Sequence, residues 1–397
     1  MQVSKFANAI EPSATLKAAA TARELRAKGV EVLDFCLGEP DFDTPEHIRA
    51  AAKRAMDSGK THYTPATGIP ELKRAICDFH KKNHGLDYTA AQICVSNGCK
   101  HTIYTSLCAT LNPGDEVVIP APYWVSYRDL VQMTGAKAVI IETKLANGLK
   151  MTPQEFRAAL TPRTKMLMIN SPCNPTGAVY SESELQALAE IVVERDLIVL
   201  SDEIYEKLVY GDVEFTAFAS LGPELYKRTL TVNGVSKSYA MTGWRIGWTA
   251  APVEVAKGMD NVQSQQTSCP CSVSQYAALE ALTADQTSVE EMRRQFARRR
   301  EYVCGRLQKT PGVKLNLPDG AFYAFFDVSD YFGKTFGDVK VANTATFCHA
   351  LLQQAHVNLV EGGAFGAECY VRLSFAASQE SLERGLDALE GWLKSAR

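Results

Sequence analysis

No run of apolar residues in the chain approaches the roughly 20 that a membrane-spanning helix needs, so no membrane span is expected. The opening MQVSKFANAI has neither a long apolar stretch nor a small-residue cleavage site, and no secretory leader is expected. Charge of one sign is scarce: a net charge of -3 gives no electrostatic case for nucleic acid or an anionic membrane as partner. Paired C-x-x-C spacing is missing, the 11 cysteines are odd in number, and Cys269 and Cys271 have no second cluster to complete a zinc site. Reduced thiols in a cytoplasmic protein, with no metal, are therefore expected. No G-x-G-x-x-G follows a strand, which disfavours a plain dinucleotide-binding fold. Gly59, Lys60 and Thr61 end like a phosphate loop, but Arg54 stands where that loop needs its first glycine. Asn174 is followed by Pro175 and cannot accept a glycan.

What remains is ordinary globular material, 397 residues with 46% hydrophobic and 22% charged content, long enough for two domains. A helix is expected from Ser13 to about Lys28 and a strand from Val30 to Leu37, ending in the turn Gly38-Glu39-Pro40-Asp41. Strands are expected at 92–96 and 116–119 with a helix at 100–111 between them; from Lys137 onward strands and helices alternate, with strands at 138–142, 165–170, 197–201 and 229–232, and a further β-type run lies at 244–249. That rhythm predicts an α/β fold, a parallel sheet with helices on both faces. Helix 252–282 is expected to be interrupted at 264–271, and the arginine-rich MRRQFARRREYVCGRL reads as a solvated face leading into a second domain. Strands near 321–328 and 370–375 point to a smaller α+β unit. The expected division is 1–44 as an N-terminal arm and part of the small domain, 45–285 as the large domain, and 286–397 as the small one.

Polar residues gather where these strands end. Asn174 lies in SPCNPTG, Asp202 and Tyr205 in SDEIY, and Ser236 and Lys237 in TLTVNGVSKSYAMTGWRIGWTA, so all should emerge on one edge of the sheet. Lys237 reads either as a Schiff-base amine or as a lysine that snorkels to water. The turn Asn97-Gly98-Cys99 between a strand and a helix offers free amides to an anion, and Lys100 places a cation against the helix dipole there. Trp124, in APYW, is either core or a platform for a flat ring. Arg372 interrupts the apolar alternation YVRLSF and needs a planar anionic partner, an internal carboxylate or a ligand.

The segment SKSYAMTGWRIGW resembles the pyridoxal-phosphate lysine segment of class I aminotransferases, the family of aspartate aminotransferase. YTPATGIPEL, APYW, SPCNPTG and SDEIY resemble the same family in the same order, and the likeness covers nearly the whole chain. It implies the fold of pyridoxal-phosphate-dependent transferases of type I, a large domain with a mostly parallel sheet sandwiched by helices and a smaller α+β domain. It also implies a homodimer with shared active sites, an amino acid and a 2-oxo acid as substrates, and pyridoxal 5′-phosphate as cofactor. By that resemblance Lys237 binds the cofactor and then acts as general base and acid, and Asp202 keeps the ring nitrogen protonated. Asn174 and Tyr205 hydrogen-bond the ring oxygen, and Trp124 stacks on the ring. Gly98, Cys99, Lys100 and Arg245 hold the phosphate, with Tyr63 reaching it from the other subunit. Gly38 lies beside the substrate carboxylate, which Arg372 clamps.

The family's best-known aspartate enzymes use a partner-subunit arginine from the 264 region for the second carboxylate, and NVQSQQTSCP has none. A related branch uses a lysine in the glycine turn, which matches Lys100, so aspartate with 2-oxoglutarate is the expected pair. Aromatic, kynurenine or alanine specificity, or a C–S lyase on the same fold, are the alternatives. Relatives that take prephenate often carry a basic residue near position 11, which is Glu11 here. Gly234 and Cys99 stand where a serine and a hydroxyl residue are common.

Overall fold

The computed structural model describes residues 2–10, 12 and 14–397; the expected helix cap at Ser13 and the position of Glu11 lie outside them. The chain is built on a seven-stranded sheet: β1 (Ile93–Ser96), β2 (Glu116–Ala121), β3 (Lys137–Glu142), β4 (Thr164–Asn170), β5 (Ile198–Asp202), β6 (Thr229–Gly234) and β7 (Gly247–Ala250). The spatial order is β1-β7-β6-β5-β4-β2-β3. Strands β2 to β6 pair in parallel, whereas β7 lies antiparallel between β6 and β1. Alternation of strand and helix cannot foretell that insertion. The link from β6 to β7 spans only residues 235–246 and contains a single 3₁₀ turn at Thr242–Trp244, too little chain for the crossover helix a parallel return requires.

The helices used below are α1 (Ala14–Ala27), α2 (Pro70–His84), α3 (Cys99–Thr110), α4 (Glu182–Glu194), α5 (Ser272–Thr283), α6 (Thr287–Leu307) and α7 (Gln379–Leu393). Central strands such as β4 (TKMLMIN) read as continuous apolar runs because both faces are covered. Met168 and Leu200 pack with Ile103 and Leu107 of α3 on one face. Ile169 and Val199 pack with Leu188 and Val192 of α4 on the other. Ser181 caps α4 in a reciprocal box with Glu184, the side chain of each taking the other's amide. No helix among the described residues is long and apolar enough to cross a membrane.

A second, antiparallel sheet consists of β8 (Lys314–Asn316), β9 (Tyr323–Asp327), β10 (Val360–Glu361) and β11 (Tyr370–Ser374), in the order β10-β11-β9-β8. Its core runs from Phe296 on α6 and Leu386 on α7, through Phe322 and Tyr323, to Ile204, Tyr205 and Leu208 just beyond β5. The two sheets therefore meet at the segment that leaves β5.

Two expected strands are shorter than foreseen. Of 30–37 only Leu33–Asp34 is strand, paired in parallel with Val357–Asn358. The next residues stay extended but bond singly: Phe35 accepts from the Ser374 amide and Cys36 from Arg372. The run expected at 244–249 begins as strand only at Gly247, because Arg245 takes a left-handed conformation (φ 57°) that ends the preceding turn.

Candidate active site

The C-terminal ends of β1, β2, β4, β5 and β6, and the start of β7, all fall on one edge of the main sheet. On that edge opens a cavity of about 410 Å³. Gly38, Cys99, Lys100, Trp124, Asn174, Asp202, Tyr205, Lys237, Arg245 and Arg372, ten of the residues expected at a site, line it together. Tyr63 does not join them; it is 89% exposed.

The turn after β1 is built for close approach. Gly98 has φ 82°, and a Cβ there would collide with the Arg245 guanidinium, which lies against the turn. Helix α3 starts at Cys99, so its first amides have no intrahelical partner and face the space beside Arg245. Arg245 is fixed by a 2.8 Å bond from Nη1 to the Thr242 carbonyl. The Cys99 thiol turns away, donating to the Asn233 carbonyl at 3.2 Å, and its sulfur would lie 2.8 Å from a Cβ at Gly234. The two unusual residues of this turn are thus one feature: Cys99 occupies the volume that a side chain at 234 would need.

Lys237 comes from the loop after β6 and donates to the Gly38 carbonyl at 2.5 Å. Burial lowers its pKa to about 8, with Cys99 and Glu39 opposing and Arg372 and Arg245 assisting. The Gly38 strap is held at several points. Thr242 donates to Glu39 at 2.9 Å, Thr44 to the Ala240 carbonyl at 2.6 Å, and Arg299 grips Asp41 with bonds of 2.6 and 2.9 Å.

Asp202, at the end of β5, is 4% exposed. Burial raises its pKa to about 6; the Tyr127 hydroxyl at 2.6 Å and the Ile204 amide at 3.3 Å pull the other way. Tyr205 shares a 2.7 Å hydroxyl–hydroxyl bond with Tyr323. Arg372, 1% exposed, donates to Asn174 Oδ1 at 2.9 Å and to the Cys36 carbonyl at 2.7 Å, while its Nε has no partner among the described residues. Its guanidinium lies over the rings of Tyr323 and Phe365, 4.5 and 5.0 Å from their centroids. No carboxylate pairs with it among the described residues, so the internal-carboxylate reading is set aside. Lys100 extends over the Trp124 ring, its nitrogen 5.1 Å from the centroid, and burial followed by Arg245 lowers its pKa.

Sequence reasoning missed Tyr127, Tyr323, Glu39 and Thr15, which also line the cavity. Tyr127 lies three residues after Trp124 and Tyr323 lies in an apolar strand; each reads as core until its hydroxyl is placed.

A buried amine, a buried carboxylate and an acid-free guanidinium around one cavity, on a sheet of this order, describe a class. The chain belongs to the aminotransferase class I and II family, which it matches over residues 30–389. It is 48% identical to the aspartate/prephenate aminotransferase of Cereibacter sphaeroides over 385 residues, 96% of each chain. With the aspartate aminotransferase of Geobacillus stearothermophilus it shares 42% identity over the whole of both chains. The crystal structure of the Rhizobium meliloti aspartate aminotransferase superposes with a TM-score of 0.96 at 40% identity, covering 100% of both chains. That of the Thermus thermophilus aspartate aminotransferase with maleate gives 0.93 at 42%, covering 98% of this chain and 99% of that one. The architecture is fold type I of the pyridoxal-phosphate-dependent transferases.

Proposed function

We propose that the chain is a pyridoxal-phosphate-dependent aminotransferase that moves the amino group of L-aspartate to 2-oxoglutarate. The observation that carries this reading is Arg372, a guanidinium 1% exposed, facing the cavity with no acid of its own. A charge so placed is costly without an incoming planar anion, and a substrate carboxylate is one. Lys100 and Trp124 stand in the same cavity, so a second carboxylate on the substrate has a cation to meet. The names of the relatives support the same substrate.

The donor set fits the cofactor. Asp202 is a buried carboxylate that, among the described residues, accepts hydrogen bonds from a phenol and an amide alone, which suits it to a protonated ring nitrogen. The Gly98 turn lets the Arg245 guanidinium lie directly against it, and the first amides of α3 together with Arg245 make an anion hole. Pyridoxal phosphate, when bound, supplies an aldehyde that joins to amines and a ring that accepts electrons from Cα. Lys237 would hold the aldehyde at rest and, once displaced by the substrate amine, carry a proton between Cα and C4′; a pKa near 8 suits an amine that must act in both forms. Asn174 and Tyr205 would donate to the ring oxygen, Trp124 would cover the ring, and Gly38 would present its backbone to the substrate carboxylate. In this reading Tyr63 completes the phosphate site of a second copy, which makes the enzyme a homodimer. Residues 1–44 form an arm and part of the small domain, 45–285 the large domain and 286–397 the small one. The unpaired cysteines suit a cytoplasmic protein.

The test is the absorbance spectrum of the purified protein with pyridoxal phosphate, before and after aspartate, alongside turnover of aspartate with 2-oxoglutarate. A visible band that disappears on adding aspartate is expected, and Lys237→Ala should remove both band and turnover. Full activity in Lys237→Ala defeats the mechanism; a silent aspartate assay defeats the substrate. Prephenate as amino acceptor is a second reading, favoured by the name of the Cereibacter relative and opposed by Glu11; an assay with prephenate in place of 2-oxoglutarate decides it.

A further inference from the structure

Among the described residues the Asp202 carboxylate has two hydrogen-bond donors, and they are unequal. The Ile204 amide reaches Oδ1 at 3.3 Å, whereas the Tyr127 hydroxyl reaches Oδ2 at 2.6 Å, the length of a charge-assisted O–H···O⁻ bond. Tyr127 is 1% exposed and sits at the start of a short helix, Tyr127–Met133, with its amide bonded to the Trp124 carbonyl at 2.9 Å. Its ring meets that of Trp124 edge to face, centroids 5.4 Å apart at 84°. One side chain therefore touches both the acid and the aromatic plate of the cavity.

We propose that Tyr127 is a positioning residue for the transamination: its hydroxyl orients the Asp202 carboxylate and secures its anionic form, while its ring sets Trp124. The inference rests on the cofactor reading given above. Burial works to neutralise Asp202, and the Tyr127 hydroxyl heads the groups that oppose it. The phenol is itself buried beside that carboxylate, so its own pKa is pushed well above the ordinary value and it remains a donor throughout the working range. Phenylalanine at 127 would preserve the ring contact with Trp124 and leave Asp202 buried with one long amide bond. A neutral Asp202 cannot hold a proton on a ring nitrogen by charge.

The test uses Tyr127→Phe and Asp202→Asn. Tyr127→Phe should lower kcat about 10- to 100-fold, the worth of one hydrogen bond to a charged group, with little change in KM for aspartate. The deficit should narrow as pH rises, because the carboxyl ionises again, and the acid limb of the kcat profile should move upward. A merely structural defect would not be relieved by alkali. Independently of activity, pyridoxal phosphate titrated into apoprotein and followed by tryptophan fluorescence should bind more weakly to Tyr127→Phe at pH 7 than at pH 9. Should that variant fail to fold, 3-fluorotyrosine at 127, a stronger donor of the same shape, should shift the acid limb downward. A Tyr127→Phe enzyme with an unmoved acid limb, or a fluorotyrosine enzyme identical to the parent, overturns the proposal. Asp202→Asn separates the two levels. If it leaves cofactor binding and turnover intact, the cofactor reading itself fails; if it abolishes turnover while Tyr127→Phe does nothing, only the role of Tyr127 falls.

Discussion

Arg372 and Lys100 differ in what their surroundings ask of them, and their replacement should differ accordingly. Arg372 is buried, with both terminal nitrogens already engaged and two rings beneath it, so only a planar fork keeps those contacts while receiving an anion. Arg372→Lys should raise KM for aspartate and for alanine alike, by about 10- to 100-fold for a lost charged hydrogen bond. Steady-state kinetics with both donors check this, and an unchanged KM would remove the carboxylate from this residue. Lys100 lies over Trp124 at the exposed side of the cavity, where a second carboxylate or the phosphate would meet it. Lys100→Ala should therefore raise KM for aspartate far more than for alanine; equal effects would assign Lys100 to the phosphate or to structure. At this scale the sequence was informative wherever a charged or amide side chain stood at a strand end, as with Lys237, Asp202 and Asn174. It was silent on Tyr127 and Tyr323, which also line the cavity, because a tyrosine within an apolar run, unlike Tyr205 in SDEIY, looks like core until its oxygen is located.

Glycines let the elements around the cavity approach closely, and Gly234 does so between α3 and the β6–β7 pair. A Cβ at Gly234 would lie 2.8 Å from the Cys99 sulfur, 2.9 Å from the Ile246 carbonyl oxygen and 3.0 Å from the Gly247 Cα. Gly234→Ala should therefore cost stability on the order of 1–3 kcal/mol through overpacking. Adding Cys99→Ala should recover part of the loss and not all of it, because the two backbone contacts remain. Thermal unfolding of the single and double variants reads this directly, and full recovery would show that the sulfur alone closed the space. The alternation of strand and helix was legible from 92 to 232 because hydrophobic period and turn residues agree there. The antiparallel entry of β7 was not, since strand direction depends on the length and conformation of the link and not on the strand's own pattern. The arginine-rich α6 was expected as a solvated face. Arg294 and Arg298 are exposed as expected, but Arg299 pairs with Asp41, Arg306 with Asp387 and Glu390, and Arg293 with Glu290. Those acids lie close in space and mostly far apart in sequence, so periodicity could not find them.

Across the whole molecule, one segment ties the two sheets, the cavity and the reverse side of the main sheet together. Asp202 and Tyr205 face the cavity, while Glu203 and Glu206, between and beside them, are buried away from it. Glu206 bonds His84 at 2.8 Å, and His84 ends α2, where the helix dipole also favours a cation. Burial disfavours a charged His84, but the hydrogen bond and charge of Glu206 outweigh it and its pKa is raised. Burial likewise acts against a charged Glu206, and His84 and Lys207 reverse it, so that pKa is lowered. Glu203 has no such cation to itself; burial, with Glu206 nearby, raises it to about 7. His80, deeper in the same group, is lowered to about 3 by burial and stays neutral. The signs then fix the pH response. The raised His84 contributes stability that is complete below its unfolded pKa and is lost as pH climbs through the folded value. The raised Glu203 does the same, losing its contribution as pH approaches about 7. The lowered Glu206 contributes above its unfolded pKa and loses that contribution only in acid. Between pH 6 and 8 the two raised groups act together; the lowered His80 opposes them only while pH rises through its ordinary value of 6.5, so the melting temperature should fall across the interval, most clearly above that value. Glu203→Gln tests the attribution: it keeps an oxygen for the Ser201 hydroxyl and the Phe218 amide, which now reach Glu203 at 2.8 and 3.1 Å, and removes the titration. Its melting temperature should exceed the parent's at pH 8, with a shallower decline from pH 6. A decline as steep as the parent's would place the alkaline loss outside this cluster. Because the same backbone carries Asp202 and Tyr205, the kcat of Glu203→Gln at pH 8 should also hold closer to its pH 7 value than the parent's does, linking the protonation of the reverse side to the order of the cavity.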